Sequence, residues 1–590
     1  MTVAPAEKGI GGGGENVELG DKNLNGYATE KMMNGEKHVE EAQGSSEVFE
    51  VIMRHVGSFG KWQWVMFFVT SFCGVFTAFH NLAAVFLAAN PEHWCHVTEL
   101  DGLQTDYDLR NVSIPWIEEK DGEGKYAKCS YYDRDWPALL ASGVLNGSSP
   151  PDLPANASVA SCGAWTYDHS VYESTVVEEW DLVCDNKYLM STVQSTFMAG
   201  VLTGAVVLSE LSDKYGRRTI SLVSAVGMLV SSVAVTFVRH YELFITLRFF
   251  VAAFGSGLFL PNFVLLMEVV GPEARTIMGM MYQAFFSVGF MLLPGIAYFV
   301  RDWRQLELCI SVPTVLLLLY YWLLPESPRW LMQQGRHEEA LKILGKAAKV
   351  NGGKLPEKEE LELLMSKMTV SKDNEDKTNF VEKIVNFFKS VVTLLSTRNM
   401  RRRCLIIFFA WFVVSMVYYG LTFSGGNIKA SVYLMVFMSG LVEIPSYLLV
   451  CWTLKKFGRR LNLCVLFVIC GAACLLILAV PKEQVWLNLT LATIGKFFNS
   501  SAFGVAYIYS AELVPTGVRN ISVGTSSMCA RIGSALAPFI VDLLGDVHYA
   551  VPSTVFGLLS VAAGLLALLL PETGNSRLPE TVEEVEAMPR

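Results

Sequence analysis

The sequence predicts an all-α polytopic membrane protein with twelve transmembrane helices in two pseudo-symmetric halves of six. Three features predict this fold class: the composition, the length of the apolar runs and an internal repeat. Of the 590 residues, 52% are hydrophobic and 17% are charged, whereas a soluble protein carries about 25% charged residues. The mean hydropathy is +0.36 and the net charge is −9. Without an overall basic field, we expect the chain to partner a lipid bilayer and not a nucleic acid.

Apolar runs of about 20 residues, the length of a helix that crosses a bilayer, recur along the chain. Two long connections, 90–187 and 325–403, interrupt their spacing, and the second separates the halves 62–324 and 404–570. The predicted spans are 62–88, 188–210, 219–238, 242–270, 277–299, 306–324, 404–423, 431–454, 461–480, 486–510, 521–544 and 549–570.

Charge in the two long connections predicts the orientation of the chain. Residues 90–187 contain 18 Asp/Glu and 6 Lys/Arg, whereas 325–403 contain 16 Lys/Arg. By the positive-inside rule, 90–187 is extracellular, and 325–403 is cytoplasmic together with both termini. Residues 1–50, rich in Gly, Glu, Lys and Asn, are expected to be a disordered tail, and 571–590 form a second cytoplasmic tail.

Four of the twelve cysteines lie in the extracellular connection. In an oxidising compartment they predict two disulfides, with three possible pairings, and free thiols are the alternative. A metal site is not expected, because the four cysteines lack a tight C-x-x-C spacing. Three N-x-[ST] sequons in the same connection predict glycosylation. The residues concerned are Cys95, Cys129, Cys162 and Cys184 for the disulfides and Asn111, Asn146 and Asn156 for the sugars.

An internal repeat divides the chain into two similar units. Asp213–Arg218 recurs as Lys455–Arg460, an offset of 455 − 213 = 242. Met267–Arg275 recurs as Ala511–Arg519, an offset of 244, and Pro325–Arg329 has a counterpart that begins at Pro571, an offset of 246. Because all three motifs recur at nearly the same offset, they predict a duplicated six-helix unit. Such halves enclose a central cavity and let a molecule cross by rocking.

The repeated motifs resemble those of a known family. Asp213–Arg218 resembles the signature loop of the major facilitator superfamily. The signature usually begins with Gly, and this chain has Ser209 at that position. The other motifs resemble the organic cation, carnitine and organic anion transporter family, and most of all its insect branch, which includes carcinine and β-alanine transporters. The resemblance covers roughly residues 48–585 and implies a plasma-membrane secondary transporter. The motifs are Pro325–Leu331, Ala511–Asn520, Leu568–Thr573, Cys129–Asp133, Phe285–Leu292 and Val417–Leu421.

Charged residues at the cytoplasmic ends of the spans are candidate gates. Their ion pairs can hold one conformation until a substrate favours another. The alternative, a simple positive-inside anchor, accounts for Lys214, Arg218, Lys456 and Arg460. Within the spans, Arg248 and its repeat mate Lys496 are interpreted as structural or gating residues. The candidate gating residues are Asp213, Arg217, Glu268, Arg275, Glu512, Arg519, Arg248 and Lys496.

Two further charges lie within predicted spans: Arg531 in span 11 and Glu443 in span 8. A charge at the centre of a bilayer costs about 2.5–3.5 kcal/mol on insertion scales, so it persists where it pairs or lines a cavity. We expect a cavity pair that exchanges its partner for substrate, with mutual neutralisation as the alternative. The resemblance implies that Arg at position 531 is typical of carnitine-type and anion-type members, and Glu443–Tyr447 is similar to the carnitine branch.

Aromatic residues supply the rest of the expected site. The resemblance implies that several of them line the pocket, where aromatic faces attract an ammonium group. Packing against lipid or neighbouring helices is the alternative for each, and His80 is interpreted as a helix-packing imidazole. The candidate substrate-binding residues, with two amides, are Phe259, Phe263, Phe286, Tyr418, Tyr419, Tyr433, Gln283 and Asn81, beside Arg531 and Glu443.

The sequence therefore predicts a secondary transporter of small organic cations or zwitterionic amines, similar to carnitine, β-alanine or carcinine, that works by alternating access. An organic anion exchanger and a non-transporting receptor of the same fold are the alternatives. Enzyme activity and a cofactor are not expected, because the sequence contains no H-E-x-x-H, G-x-S-x-G or Walker motif. A zwitterion gains nothing from the membrane potential, so its uptake needs exchange or a co-transported ion such as Na⁺ or H⁺.

Overall fold

The structure, a computed structural model, describes most of the chain from residue 49 to residue 587. Outside the described residues lie 1–48, 50, 58, 104, 106, 119–123, 147–150, 152–156, 356–390, 393, 425–430, 482, 516–517, 546–547, 549, 575–578, 580–581 and 588–590.

Long helices follow the predicted spans throughout the described residues. They are α1 (Lys61–Leu87), α2 (Lys187–Tyr215), α3 (Arg217–Val235), α4 (Tyr241–Val269), α5 (Pro272–Phe299), α6 (Trp303–Leu323), α7 (Arg398–Phe423), α8 (Val432–Phe457), α9 (Arg460–Ala479), α10 (Val485–Glu512), α11 (Arg519–Leu544) and α12 (Val551–Ala567).

Ten of these helices are long and apolar enough to cross a membrane by length and composition, and α12 is a shorter apolar helix. The remaining helix, α10, has 28 residues but includes Asn488, Lys496 and Asn499, which make it more polar. Every predicted span is helical, and the predicted fold class is confirmed.

Proline residues shape several of the helices. Pro294 within α5 and Pro538 within α11 keep the repeat offset, 538 − 294 = 244. In α6, Pro313 has no backbone N–H to donate, and the residues Val312–Leu319 form a 3₁₀ segment instead of an α-helix. The tighter winding lets α6 remain one continuous element across the predicted span.

The connection 90–187, here called the outer domain, contains strands that the all-helical prediction did not include. They form three small antiparallel sheets. The pairs are β1 (His93–Cys95) with β6 (Trp165–Tyr167), β2 (Trp116–Glu118) with β3 (Gly124–Tyr126), and β4 (Ser130–Asp133) with β5 (Ser158–Ser161). The end of the helix bundle that carries this domain is the outer end, and the opposite end is the inner end.

Two disulfides cross-link the outer domain, as predicted. Cys95 is bonded to Cys162 and Cys129 to Cys184, which resolves the pairing that the sequence left open. Among the sequons, Asn111 is exposed and accepts a hydrogen bond from Tyr126. Asn146 ends a 3₁₀ turn, and Asn156 lies outside the described residues. Glycosylation of all three stays a prediction.

The outer domain is attached to the outer end of the N-half. Trp180 packs against Phe244 of α4 and Trp303 of α6, with ring centroids 5.1 and 5.8 Å apart. The Trp303 Nε1–H donates to Glu179 Oε2 at 2.9 Å, and Ser174 donates to the Asp302 carboxylate at 2.6 Å. Aromatic packing and hydrogen bonds therefore join this domain to α4 and α6.

A small helical lobe lies at the inner end of the N-half. It contains the helices Pro328–Gln333 and His337–Asn351 together with a helical segment at 51–56. Phe49 is only 1% exposed in the core of this lobe. The prediction that Phe49 belongs to the disordered tail was therefore wrong, because its ring packs against apolar side chains of the two later helices. The other tail residues up to 48 lie outside the described residues.

Candidate functional site

The carboxylate of Glu443 lies at the contact between the two halves. Glu443, on α8, is fully buried. Its Oε2 accepts a hydrogen bond from Ser287 of α5 at 2.6 Å, and its Oε1 accepts one from Tyr418 of α7. The approach of α5 depends on Gly440, one turn before Glu443, because a Cβ there would lie 2.7 Å from the Cβ of Phe290. From the sequence, Glu443 was predicted as an acid of the site, but Ser287 was not identified as its partner.

Lys496 of α10 is the base nearest to Glu443. Its Nζ lies 3.8 Å from Glu443 Oε1, and the side chain is 1% exposed. The ammonium donates to the Tyr418 carbonyl at 3.0 Å and to Thr422 Oγ1 at 2.8 Å. It also lies 3.0 Å from the centroid of the Tyr418 ring. An ammonium group thus occupies an aromatic, acid-containing environment between the halves, the kind of environment that binds organic cations.

Arg531 does not form the predicted pair with Glu443. Among the described residues the acid is paired with Lys496 instead, whereas Arg531, on α11, interacts with the hydroxyl of Tyr419. The buried Nε of Arg531 has no hydrogen-bond partner among the described residues. The guanidinium therefore keeps a donor available for a carboxylate, which is a favourable partner for Arg.

Aromatic rings connect α4 to this cluster. Tyr282 packs against Phe259 at 4.9 Å and Phe263 at 5.3 Å. Phe286 lies 6.1 Å from Phe259 and 5.9 Å from Phe290, and Phe290 lies 6.1 Å from Tyr418. Five of the predicted aromatics therefore belong to one connected series, since Tyr419 lies 5.2 Å from Tyr418. Tyr282 and Phe290, which complete the series, were not among the candidates.

The remaining candidates lie in different positions. Tyr433 stacks on Phe86 of α1 at 5.5 Å and contacts Tyr298 of α5 at 5.6 Å, toward the outer end. The Asn81 carbonyl oxygen of the side chain accepts from Tyr419 at 3.2 Å, which joins α1 to α7. Gln283 is partly exposed on α5. Tyr433 and Asn81 thus lie at contacts between the halves.

The polar contacts between α2 and α11 lie at the outer end. Ser191 donates to the Asp542 carboxylate at 2.6 Å, and Ser195 donates to the Ala535 carbonyl at 2.6 Å. With the Asn81–Tyr419 bond, they join the N-half to the C-half on the side of the outer domain. The structure therefore corresponds to a conformation in which the halves are closed at the outer end.

The candidate gates at the inner end are paired within their own halves. Arg217 bonds Asp213 at 2.8 Å and Glu268 at 3.2 Å. In the C-half, Glu512 pairs with Arg459 at 3.0 Å. Arg459 was not a candidate, although its offset from Arg217, 459 − 217 = 242, pointed to the equivalent role.

The two other candidate gating arginines differ from this pattern. Arg275 donates to the carbonyls of Met267 and Val270, each at 3.2 Å. Arg519 has no ion pair among the described residues, and its Nε and Nη2 have no hydrogen-bond partner there. The expected Arg519 ion pair is therefore absent from the described part of the chain in this conformation, because Glu512 is taken by Arg459.

Two acids that were not candidates cap the helices after the signature loops. Glu326 accepts from the backbone N–H groups of Arg217 and Arg218 at the start of α3, at 2.8 and 3.2 Å. Glu572 does the same at the start of α9, with Arg459 N–H at 2.8 Å. A carboxylate at a helix N-terminus stabilises the helix. Burial raises the pKa of the Glu326 carboxyl above its ordinary value. The sequence signal for both caps was the repeated Pro-Glu pair, Pro325-Glu326 and Pro571-Glu572.

Gly216 permits the cap on α3. Its φ is 99°, and a Cβ there would lie 2.4 Å from Glu326 Oε2. We expect Gly216→Ala to lower the free energy of unfolding by about 1–3 kcal/mol, because the left-handed backbone becomes strained and the cap is displaced. Thermal unfolding of the detergent-purified protein measures this. Gly295→Ala, where a Cβ meets nothing within 4 Å, is the control. Equal melting temperatures for the two variants would contradict the assignment.

Comparisons with known proteins agree with this architecture. Residues 152–585 match the family described as "Sugar (and other) transporter". An organic cation transporter protein of Drosophila melanogaster is 39% identical over 91% of this chain and 94% of its own. The β-alanine transporter of the same fly is 35% identical, with coverages of 92% and 89%. Solute carrier family 22 member 3 of Rattus norvegicus is 34% identical, with coverages of 92% and 96%.

Solved structures show the same fold. The inward-open xylose transporter XylE from E. coli superimposes with a TM-score of 0.55 at 15% identity, over 89% of this chain and 99% of that one. XylE bound to 6-bromo-6-deoxy-D-glucose gives a TM-score of 0.53, also at 15% identity, over 89% of this chain and 98% of that one. At this identity the likeness concerns the fold alone.

Proposed function

We propose that the chain moves small organic cations or zwitterionic amines across the plasma membrane. It belongs to the sugar (and other) transporter family of the major facilitator superfamily, and its relatives include organic cation transporters. It is a multi-pass membrane transporter by family and fold. The finer proposal concerns the substrate, which we infer to be an amine similar to carnitine, β-alanine or carcinine.

The observation that carries the proposal is the cluster of Glu443, Lys496 and Tyr418 at the contact between the halves. The Lys496–Glu443 distance of 3.8 Å is long for an ion pair, so a substrate ammonium that approaches the carboxylate more closely can replace the lysine. The Tyr418 ring then contacts the same ammonium. The substrate ammonium then pairs with the acid, while Lys496 keeps its hydrogen bonds to the Tyr418 carbonyl and Thr422 Oγ1.

Arg531 supports the zwitterionic form of the substrate. Its unpartnered Nε is suited to bind a carboxylate at the other end of the molecule, since a guanidinium forms two parallel hydrogen bonds with a carboxylate. One guanidinium with an acid nearby suits an amino acid-like molecule better than a dianion. This charge balance favours the amine transporter over the organic anion exchanger.

Alternating access follows from the distribution of contacts between the halves. The outer-end bonds of Ser191, Ser195 and Asn81 break when the halves rock, and the outer end opens. The substrate changes this equilibrium by its differential contacts with the two states. At the inner end, Asp213, Glu268 and Glu512 are the acids that can exchange partners when that end closes.

A competition assay tests the proposed substrate class. Cells that express the chain are assayed for uptake of labelled carnitine, β-alanine, carcinine, tetraethylammonium and a dicarboxylate, with and without Na⁺. We expect at least one amine to be taken up with saturation and trans-stimulation, and the amines to compete with each other. Uptake of the dicarboxylate alone would indicate the anion exchanger, and surface expression without any uptake would favour the receptor.

A further inference from the structure

Three ionisable side chains form a second buried cluster, within the N-half. His80 of α1, Arg248 of α4 and Glu307 of α6, here called the N-half triad, are each no more than 1% exposed. His80 Nδ1 lies 3.5 Å from Glu307 Oε1, and Arg248 Nη1 lies 3.8 Å from Glu307 Oε2. Both distances are longer than a good hydrogen bond. The triad is thus assembled but not closed.

The polar atoms of the triad are incompletely bonded. Among the described residues, both ring nitrogens of His80, both carboxylate oxygens of Glu307, and Nε and Nη1 of Arg248 have no hydrogen-bond partner. Buried polar atoms are nearly always satisfied, and each exception needs an explanation. A purely structural buried ion pair requires good geometry and satisfied lone pairs. The triad has neither, which points to a ligand that completes its bonds.

A proton is a ligand that fits this arrangement. Bound at Nδ1 of His80, it turns that nitrogen into a donor directed at the Glu307 carboxylate. Arg248 alone balances Glu307 when His80 is neutral, so the loaded triad carries one additional positive charge. α2 contributes Gln194 and Phe197, which are uncharged. His80 lies on α1, which also carries Cys73 about two turns nearer the inner end. The titratable or charged groups that the other packed helices bring toward this part of α1 are Arg248, Glu307 and Tyr419, with Arg531 beside Tyr419, and Tyr282 and Tyr320 near Cys73.

The triad is connected to the contact that closes the outer end. Arg248 Nη2 donates to the carbonyl of His80 at 3.1 Å. The next residue, Asn81, accepts the hydrogen bond from Tyr419 of the C-half. A change of charge on His80 therefore acts on α1 directly beside a bond between the halves. This connection is what a coupled ion needs in order to bias the conformational equilibrium.

We propose that the N-half triad is the binding site of a co-transported proton, an inference that rests on the proposed function. The proton comes from the outer solution, forms an N–H bond at Nδ1 of His80 and is released to the cytoplasm after the halves rock. No other covalent bond forms or breaks. A zwitterion that moves with this proton crosses as a net cation, and the membrane potential then drives it inward.

The experiment uses the full chain reconstituted in liposomes with a clamped potential and a lumen of constant pH. Uptake of carnitine, β-alanine and tetraethylammonium is measured while the external pH is lowered. We expect zwitterion uptake to rise about fivefold as the external pH is lowered from about 8 to about 6, because a higher external proton concentration loads the triad. His80→Gln is expected to give a flat profile. His96→Gln is the control, since His96 lies in the outer domain near Asp101 and its loss leaves the rise intact.

The outcomes separate this inference from the proposed function. A pH-dependent rise that survives in His80→Gln overturns the proton site, as does lower uptake with an unchanged profile, which a structural role predicts. If His80→Gln does not fold, Glu307→Gln is tested in the same way. In addition, the parent protein is assayed in weakly buffered liposomes with a pH-sensitive dye in the lumen. Substrate-driven acidification is expected there, and its absence overturns the inference. Uptake of none of the three amines contradicts the proposed function instead.

Discussion

Replacing Glu443 by Gln is expected to reduce uptake of organic cations at least about 100-fold, which corresponds to about 2.7 kcal/mol. The carboxylate is fully buried and is the acid of the central cluster, where it accepts bonds from Ser287 and Tyr418. Its neutral isostere cannot balance a substrate ammonium. The variant also leaves Lys496 without its counter-charge, a change that typically costs about 3–5 kcal/mol. Initial uptake rates, normalised to surface protein, measure the effect.

A double variant separates lost binding from lost stability. Glu443→Gln with Lys496→Met removes both buried charges, and we expect it to recover the melting temperature of the parent without recovering cation uptake. Glu483→Gln, an exposed acid between α9 and α10, is the matched control and keeps full uptake. If Glu443→Gln transports amines at the parental rate, the carboxylate is not the cation site.

Replacing Arg531 by Asp is expected to reverse the preference between carboxylated and simple amines. We expect the ratio of carnitine to tetraethylammonium uptake to fall at least about 30-fold. The carboxylate of carnitine loses a charge-assisted hydrogen bond worth about 1.5–3 kcal/mol and meets a like charge instead. Tetraethylammonium has no carboxylate to lose. Parallel uptake measurements in the same cells give this ratio directly.

Two variants control for less specific effects of charge. Arg239→Asp makes the same substitution at an exposed position toward the outer end, and we expect it to leave the ratio within twofold, about the effect of a weak screened surface charge. Arg531→Lys keeps the charge but loses the planar fork, so an intermediate ratio is expected. An unchanged ratio in Arg531→Asp would exclude the carboxylate-binding role.

The spans and the two halves could be predicted from sequence because bilayer thickness fixes the length of an apolar helix and the repeat offset fixes the symmetry. The same offset relates Pro294 to Pro538, and it would have located Arg459 as the counterpart of Arg217. These features depend on order along the chain. They do not require knowledge of how helices face one another.

The partner of Glu443 could not be predicted, because it depends on the rotation and height of each helix in the bundle. Both Arg531 and Lys496 are bases within predicted spans of the C-half, and hydropathy does not distinguish which one faces α8. Repeat symmetry was also misleading here, since Arg248 faces an acid on α6 whereas its mate Lys496 faces one on α8. Tyr433 lies outside the connected aromatic series, against Phe86 and Tyr298, and its role in substrate binding stays a prediction.

The attachment of the outer domain to α4 and α6 has a consequence for the design of an inhibitor that binds at the outer end. We expect an antibody that binds only the outer domain to move with the N-half, so that the transport cycle continues. A binder that connects the outer domain to the outer end of α11, where Leu543 and Leu544 are exposed, joins the N-half to the C-half. We expect a binder of this kind to immobilise the two halves without entering the substrate pathway.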